Sequence, residues 1–108
     1  MHTLPALAHA FATPLETLNT WANLGRLGRK QGHSRTYDAN EAFALGLLCA
    51  VRAAGQPVGF AVIDSAAAIA ASRDRPPAWT VAESDCAAFV VDIPAASKII
   101  ETQLGVFK

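Results

Sequence analysis

The sequence predicts a mainly α domain with a small β component, and three observations carry that prediction. Five stretches hold helix signals, with apolar residues at helical spacing or alanine-rich composition behind Thr, Asp or Pro starts. Two other runs, residues 26–37 and 78–93, lack that period and read as β-hairpins. Hydrophobic residues make up 52% and charged residues 17% of the 108-residue chain. That supports one real core and is far from a disordered composition.

The first helix is expected over residues 4–11, LPALAHAF. Pro5 suits its first turn, and Leu4, Leu7, Ala8 and Phe11 fall at i, i+3, i+4 and i+7. The second helix starts near Pro14 and runs to Gly25, its C-terminal stop. Thr13 at N-cap, Pro14 at the first helical position and Glu16 at N3 read as a capping box. Leu15, Leu18 and Ala22 share one face, with Trp21 beside it as a core aromatic. Thr17, Asn19, Thr20 and Asn23 are left for the other sides, a polar face without charge. Residues 26–37, RLGRKQGHSRTY, fit two short strands around a turn near Gln31-Gly32-His33.

DANE at 38–41 is a second capping signature, with Asp38 at N-cap and Glu41 at N3. It opens a third helix from Ala39 to about Ala54, stopped by Gly55 and Pro57. Phe43, Leu47, Ala50, Val51 and Ala54 line one side, widened by Leu45 and Leu48. The next stretch is β-branched enough for a strand in its first half and alanine-rich in its second, and Pro57 at a first helical turn favours one fourth helix over residues 58–72. RDRPP at 73–77 is a break. AWTVAES and AAFVVDI are two strands joined at Asp85-Cys86. A closing helix runs from Pro94 to Leu104, with Ile99, Ile100 and Leu104 as a narrow apolar stripe. The chain thus divides into residues 1–72 and an accessory element, 73–108, of the same compact unit.

The net charge is zero but unevenly spread. Residues 1–37 carry a net of +3, residues 38–75 a net of −1 and residues 76–108 a net of −2. Arg26, Arg29, Lys30 and Arg35 are four of the nine bases, and no acid lies among them. Two cysteines do not make a disulfide framework, and Cys49 reads as a buried thiol. The opening MHTLPALAHAFA has no Lys or Arg before its apolar run and is interrupted by Pro5 and His9. It reads as structure, not a targeting peptide. No apolar run is long enough to span a membrane, so a cytoplasmic protein is expected, nucleoid-associated when bound to DNA. His2, His9 and His33 have no metal-ligand spacing, and no P-loop, nucleophile elbow or dinucleotide fingerprint occurs. No enzyme activity, metal or cofactor is expected.

Helix, short turn, helix and basic hairpin is the order of a helix-turn-helix with a wing. In that arrangement the second helix enters the major groove and the wing meets phosphate. Residues 7–27 resemble the winged helix-turn-helix of MerR-type regulators. The matching positions are Leu7-Ala8, Thr17-Leu18, Trp21 and Gly25-Arg26-Leu27. The wing pattern matches Gly32, Arg35-Thr36-Tyr37 and Asp38, and the likeness extends over about residues 4–70. It implies Thr17, Asn19, Thr20 and Asn23 as groove-facing, and Arg29, Lys30, Arg35 and Tyr37 as phosphate or minor-groove contacts. Arg26, His33 and Ser34 complete the expected DNA-binding set, with His33 at the turn tip. Tyr37 serves either phosphate or the packing of the wing onto the third helix, and Asn19 and Asn23 are either base contacts or a solvated face. The chain departs from the family in two ways. Glu16 stands where the family often has Arg, and no long dimerising helix follows the fourth helix.

The expected function is sequence-specific binding of double-stranded DNA in transcriptional regulation, by a homodimer or cooperative multimer. Residues 76–108 are the candidate for self-association, or else simply cover the third and fourth helices. Two alternatives stand beside this reading. One is an excisionase-like architectural factor, to which the fold is also similar. The other is a protein-interaction module using the winged helix.

Overall fold

The computed structural model describes residues 1–31 and 34–105. In chain order the elements are β1 (His2–Thr3), α1 (Leu4–Ala10), α2 (Leu15–Leu24), β2 (Arg29–Gln31), β3 (Ser34–Tyr37), α3 (Ala39–Ala53), α4 (Phe60–Ala71), β4 (Ala78–Glu83), β5 (Ala88–Asp92) and α5 (Ile93–Gln103). The described residues form a compact mixed α/β domain of five helices and two small antiparallel sheets. One sheet has the order β1-β3-β2; the other is the β4–β5 pair.

The core is built around α3. Asp38 and Glu41 close the capping box that the DANE pattern predicts: Glu41 N donates to Asp38 Oδ1 (2.8 Å) and Asp38 N to Glu41 Oε1 (3.0 Å). Residues 42–48 are buried without interruption, because α2, α4, α5 and β3 all pack on this helix. An amphipathic pattern therefore understates its burial at the start and overstates it at the end, where Ala50 and Ala54 are exposed. Gly46 lets α5 approach closely, since a Cβ there would stand 2.9 Å from Ile100 Cγ1.

The start of α2 differs from the expectation. Pro14, not Thr13, is the N-cap, and no side chain caps the helix. Thr13 is buried instead. Its hydroxyl lies 3.0 Å from the Phe11 carbonyl and 3.3 Å from Cys49 Sγ, donating to one or the other. Glu16 remains in the first turn, where the positive end of the helix dipole favours it.

Both α1 and α2 end in a hydrogen-bonded turn whose left-handed residue is not glycine. After α1, Ala12 takes φ 49°, with Ala12 N donating to His9 O and Thr13 N to Ala8 O. After α2, Arg26 takes φ 55°, with Arg26 N donating to Asn23 O and Leu27 N to Ala22 O. Gly25, the expected stop, stays right-handed at φ −87°. Its missing side chain serves packing, because a Cβ would stand 2.9 Å from Ile63 Cγ2 on α4. Leu15 also leaves the expected apolar face and is exposed.

The fourth helix starts at Phe60 behind an extended Gly59, so Pro57 lies outside its first turn. The expected break at 73–77 is strapped to the body. The Arg75 guanidinium lies 3.8 Å from the centre of the Phe43 ring and donates to Asn40 Oδ1 and Ala70 O. Strands β4 and β5 follow the predicted hairpin, with a register shift between Thr80 and Ala82. Asp92 caps α5 through Ala95 N (3.1 Å). The expected Ile99–Ile100 stripe divides: Ile100 is buried against α3, and Ile99 alone is well exposed. No helix among the described residues is long and apolar enough to cross a membrane.

Candidate nucleic-acid interface

The three-stranded sheet contains an element the sequence reading lacks. His2 and Thr3 form β1 and pair with Tyr37 and Thr36, making β3 the central strand. On the other side Arg29 pairs with Thr36 and Lys30 with Arg35. Side chains alternate along a strand, so cross-strand partners share a face. Lys30, Arg35, Tyr37 and His2 therefore lie on one face, and Arg29, Thr36 and Thr3 on the other.

The first face grades from buried to exposed. Tyr37, at the root, is wholly buried. Its ring packs the sheet into the core, which corrects its expected place among the DNA contacts. Arg35 is half-buried and Lys30 exposed. Gly28 makes this gradient possible. It has φ 89°, and a Cβ there would stand 2.6 Å from both Arg35 Cδ and Tyr37 Cε1. Only a residue without a side chain leaves room for the arginine stem and the tyrosine ring, and glycine also tolerates the positive φ.

Glu41 fixes the same point from below. Its Oε1 accepts from Asp38 N within the capping box, and its Oε2 accepts from Gly28 N at 2.6 Å. One carboxylate thus ties the start of α3 to the root of the ribbon. The capping signature reveals the first bond; the second joins residues 13 positions apart and has no local pattern.

Arg35 is held at both ends. Its stem lies over Gly28, and its Nη1 donates to Asn23 Oδ1 on α2 at 2.7 Å. That bond brings the uncharged polar face of α2 against the basic ribbon. Asn19, Thr20 and Asn23 are exposed, and Thr17 is half-buried. Thr20 directs its hydroxyl back to Glu16 O (3.0 Å), which occupies its proton. A cleft of about 340 Å³ lined by Thr3, Leu4, Pro5, Asn19, Arg35 and Tyr37 lies at this junction.

The remaining candidates are more scattered. Arg29 is exposed on the opposite face of the ribbon. Arg26 is exposed beyond the end of α2, beside a second cleft that includes Asn23, Leu24, Phe60 and Asp64. His33 lies outside the described residues, as does the side chain of Ser34.

No known protein family, curated protein or solved structure shows detectable similarity to the chain. The likeness to MerR-type regulators rests on the quoted sequence positions alone.

Proposed function

We propose that the chain binds double-stranded DNA sequence-specifically and regulates transcription, with α2 in the major groove and the β2–β3 ribbon on phosphate. The observation that carries this reading is the placement of Lys30 directly opposite Arg35. Like charges facing each other across a sheet are destabilising. A polyanion lying over both cations offsets that repulsion, and neutralising its phosphates releases condensed counterions. The clamp on Arg35 points the same way, because a guanidinium fixed before binding loses less entropy on contact. Asn19, Asn23 and Thr20 beside it are side chains of the type that read base edges. One module this small gives limited affinity alone. We therefore propose that two or more protomers act on repeated half-sites, with residues 76–108 as the contact between them.

The test is a mobility-shift titration with genomic fragments at several salt concentrations. Four or five phosphate contacts predict a slope of log K against log salt of roughly −4 per protomer. Replacing Arg29, Lys30 and Arg35 together by Ala is expected to abolish the shift in a folded protein. Salt-insensitive behaviour, or full binding by the triple variant, would overturn the reading.

A further inference from the structure

The β4–β5 ribbon has an edge without a backbone partner. Ile93 N donates to Pro77 O at one end of the ribbon (3.1 Å), and Ser84 N donates to Ala87 O at the other (2.8 Å). In an antiparallel pair, residues that bond across the ladder alternate with residues that do not. Counting inward from either end turns the backbone groups of Val91 and Phe89 towards β4, and those of Ala88, Val90 and Asp92 away from it. The two counts agree on β5 because the register shift is taken up on β4, between Thr80 and Ala82. Among the described residues, no other part of the chain gives these outward groups a backbone hydrogen bond.

The two outer edges of the ribbon differ. β4 follows Pro76-Pro77, carries the register shift and ends on Glu83. A bulge breaks the run of outward groups and twists an edge away from partners. β5 reads Ala88-Phe89-Val90-Val91-Asp92, with no proline, no lysine and no irregularity, and its only charge is its last residue. A two-stranded ribbon is marginal by itself and gains from further strands. We propose that β5 pairs antiparallel with β5 of a second copy, about a two-fold axis at Val90, to make a continuous four-stranded sheet. The strand is its own complement, because its outward positions 88, 90 and 92 are symmetric about its centre. Val90 meets Val90 and Ala88 meets Asp92, so each outward N–H faces an outward C=O. A slip of one residue sets outward groups against inward ones, and a slip of two leaves one end unpaired. The same register joins the two Val90 side chains, each 50% exposed in one copy, and sets Phe89 against Val91 on the other face. No like charges stand opposite each other, since Asp92 faces Ala88. Pairing of one patch with itself closes at two protomers.

This names the contact within residues 76–108 on which the proposed multimer rests, and its test needs no DNA. The native full chain is followed by sedimentation equilibrium over a concentration series, and the wild type is expected to reach a dimer. Val90→Pro removes an N–H that points away from β4, so the ribbon keeps its own ladder while the dimer loses that bond twice by symmetry. Its dissociation constant is expected to rise on the order of 10-fold or more. Thr80→Pro, at the cross-strand position on the outer edge of β4, is the control and should dimerise like the wild type. The register is tested with Val90→Cys in a Cys86→Ser background, with oxidised glutathione as the oxidant. Bonded cross-strand residues have Cα atoms about 5.5 Å apart, within disulfide reach, so a covalent dimer should form. Thr80→Cys in the same background would lie three strand spacings from its mate, roughly 14 Å, and should not cross-link. The cross-link decides the matter even where a proline variant fails to fold. A wild type that stays monomeric, full dimerisation by folded Val90→Pro, or no preference for cross-linking at Val90 over Thr80 would overturn the assignment. A monomer that still gives a salt-sensitive DNA shift would leave the DNA reading standing, and a Val90-centred dimer that gives none would overturn that reading alone.

Discussion

The two β-ribbons of this chain share a secondary structure and differ in nearly everything else. The β2–β3 ribbon lies within residues 25–37, which hold four bases and no acid; residues 76–97, around β4–β5, hold three acids and no base. The first is anchored by polar bonds added to the buried Tyr37 ring. Glu41 grips Gly28, Arg35 grips Asn23, and β1 adds a third strand. The second has only two strands and is anchored by the apolar pair Trp79 and Val91, both buried and opposite each other. The contrast teaches how a small domain presents charge. Cations kept near one another need a root that holds without relying on them. In the second ribbon the buried Trp79–Val91 pair supplies the root.

The largest effect is therefore expected at Trp79. Truncating a buried aromatic of this size costs about 3–5 kcal/mol, a large share of the stability of an ordinary domain. Trp79→Ala is expected to lower the denaturant midpoint strongly, while the folded fraction keeps its DNA affinity, because Trp79 lies on the β4–β5 ribbon, opposite Val91, and not on the β2–β3 one. A cost below about 1 kcal/mol would show that this ribbon is not held by its tryptophan. Loss of DNA affinity in the folded fraction would erase the functional distinction between the ribbons.

Glu41→Ala is the corresponding experiment at the other root. It leaves Gly28 N–H and Asp38 N–H, both partly buried, without their acceptor. A lost charge-assisted acceptor and a lost cap partner together predict about 2–3 kcal/mol. Here stability and DNA binding should fall together, since Gly28 supports Arg35. Glu41→Gln keeps one carbonyl oxygen as an acceptor and should lose less. If Glu41→Ala is as stable as the wild type, the polar clamp is not what holds the ribbon.

The ribbons also show what was legible in the sequence. Both hairpins, the helix over 39–53 and its Asp38–Glu41 box followed from local patterns, because propensity, capping and spacing agree there. Thr13 defeated the same reasoning. Threonine suits an N-cap and an inward hydrogen bond equally well, and the choice was made by Phe11 and by Cys49, 36 residues away. Gly25 suits a C-terminal stop on local grounds, yet its missing side chain makes room for α4 while Arg26 takes the left-handed position. Two residues at 2–3 are too few to show a strand period. In the candidate site the residue types were legible, but their grouping depends on register. Pairing Lys30 with Arg35 places Tyr37 on the same face, and burial of that face at its root withdraws Tyr37 from the surface.

The smallest effect concerns the two cysteines, one near the core and one on the β4–β5 turn. Cys86 is exposed, whereas Cys49 is half-buried on α3. Burial pushes the Cys49 thiol above its usual value of 9.0, against weaker opposing effects from the Thr13 hydroxyl and the Arg52 charge. The folded protein therefore holds the Cys49 proton at a pH where the unfolded chain releases it. The resulting stability is fully present below pH 9.0 and declines as pH rises through the unfolded value towards the raised folded one. Cys49→Ala removes this dependence. The difference in unfolding free energy between wild type and variant should be flat from pH 6 to 8 and shrink at higher pH. Native protein at pH 8 should give one fast-reacting thiol, Cys86, and a second only on unfolding. A difference that stays constant through pH 10, or two equally fast thiols, would show that Cys49 is not shielded as its burial implies.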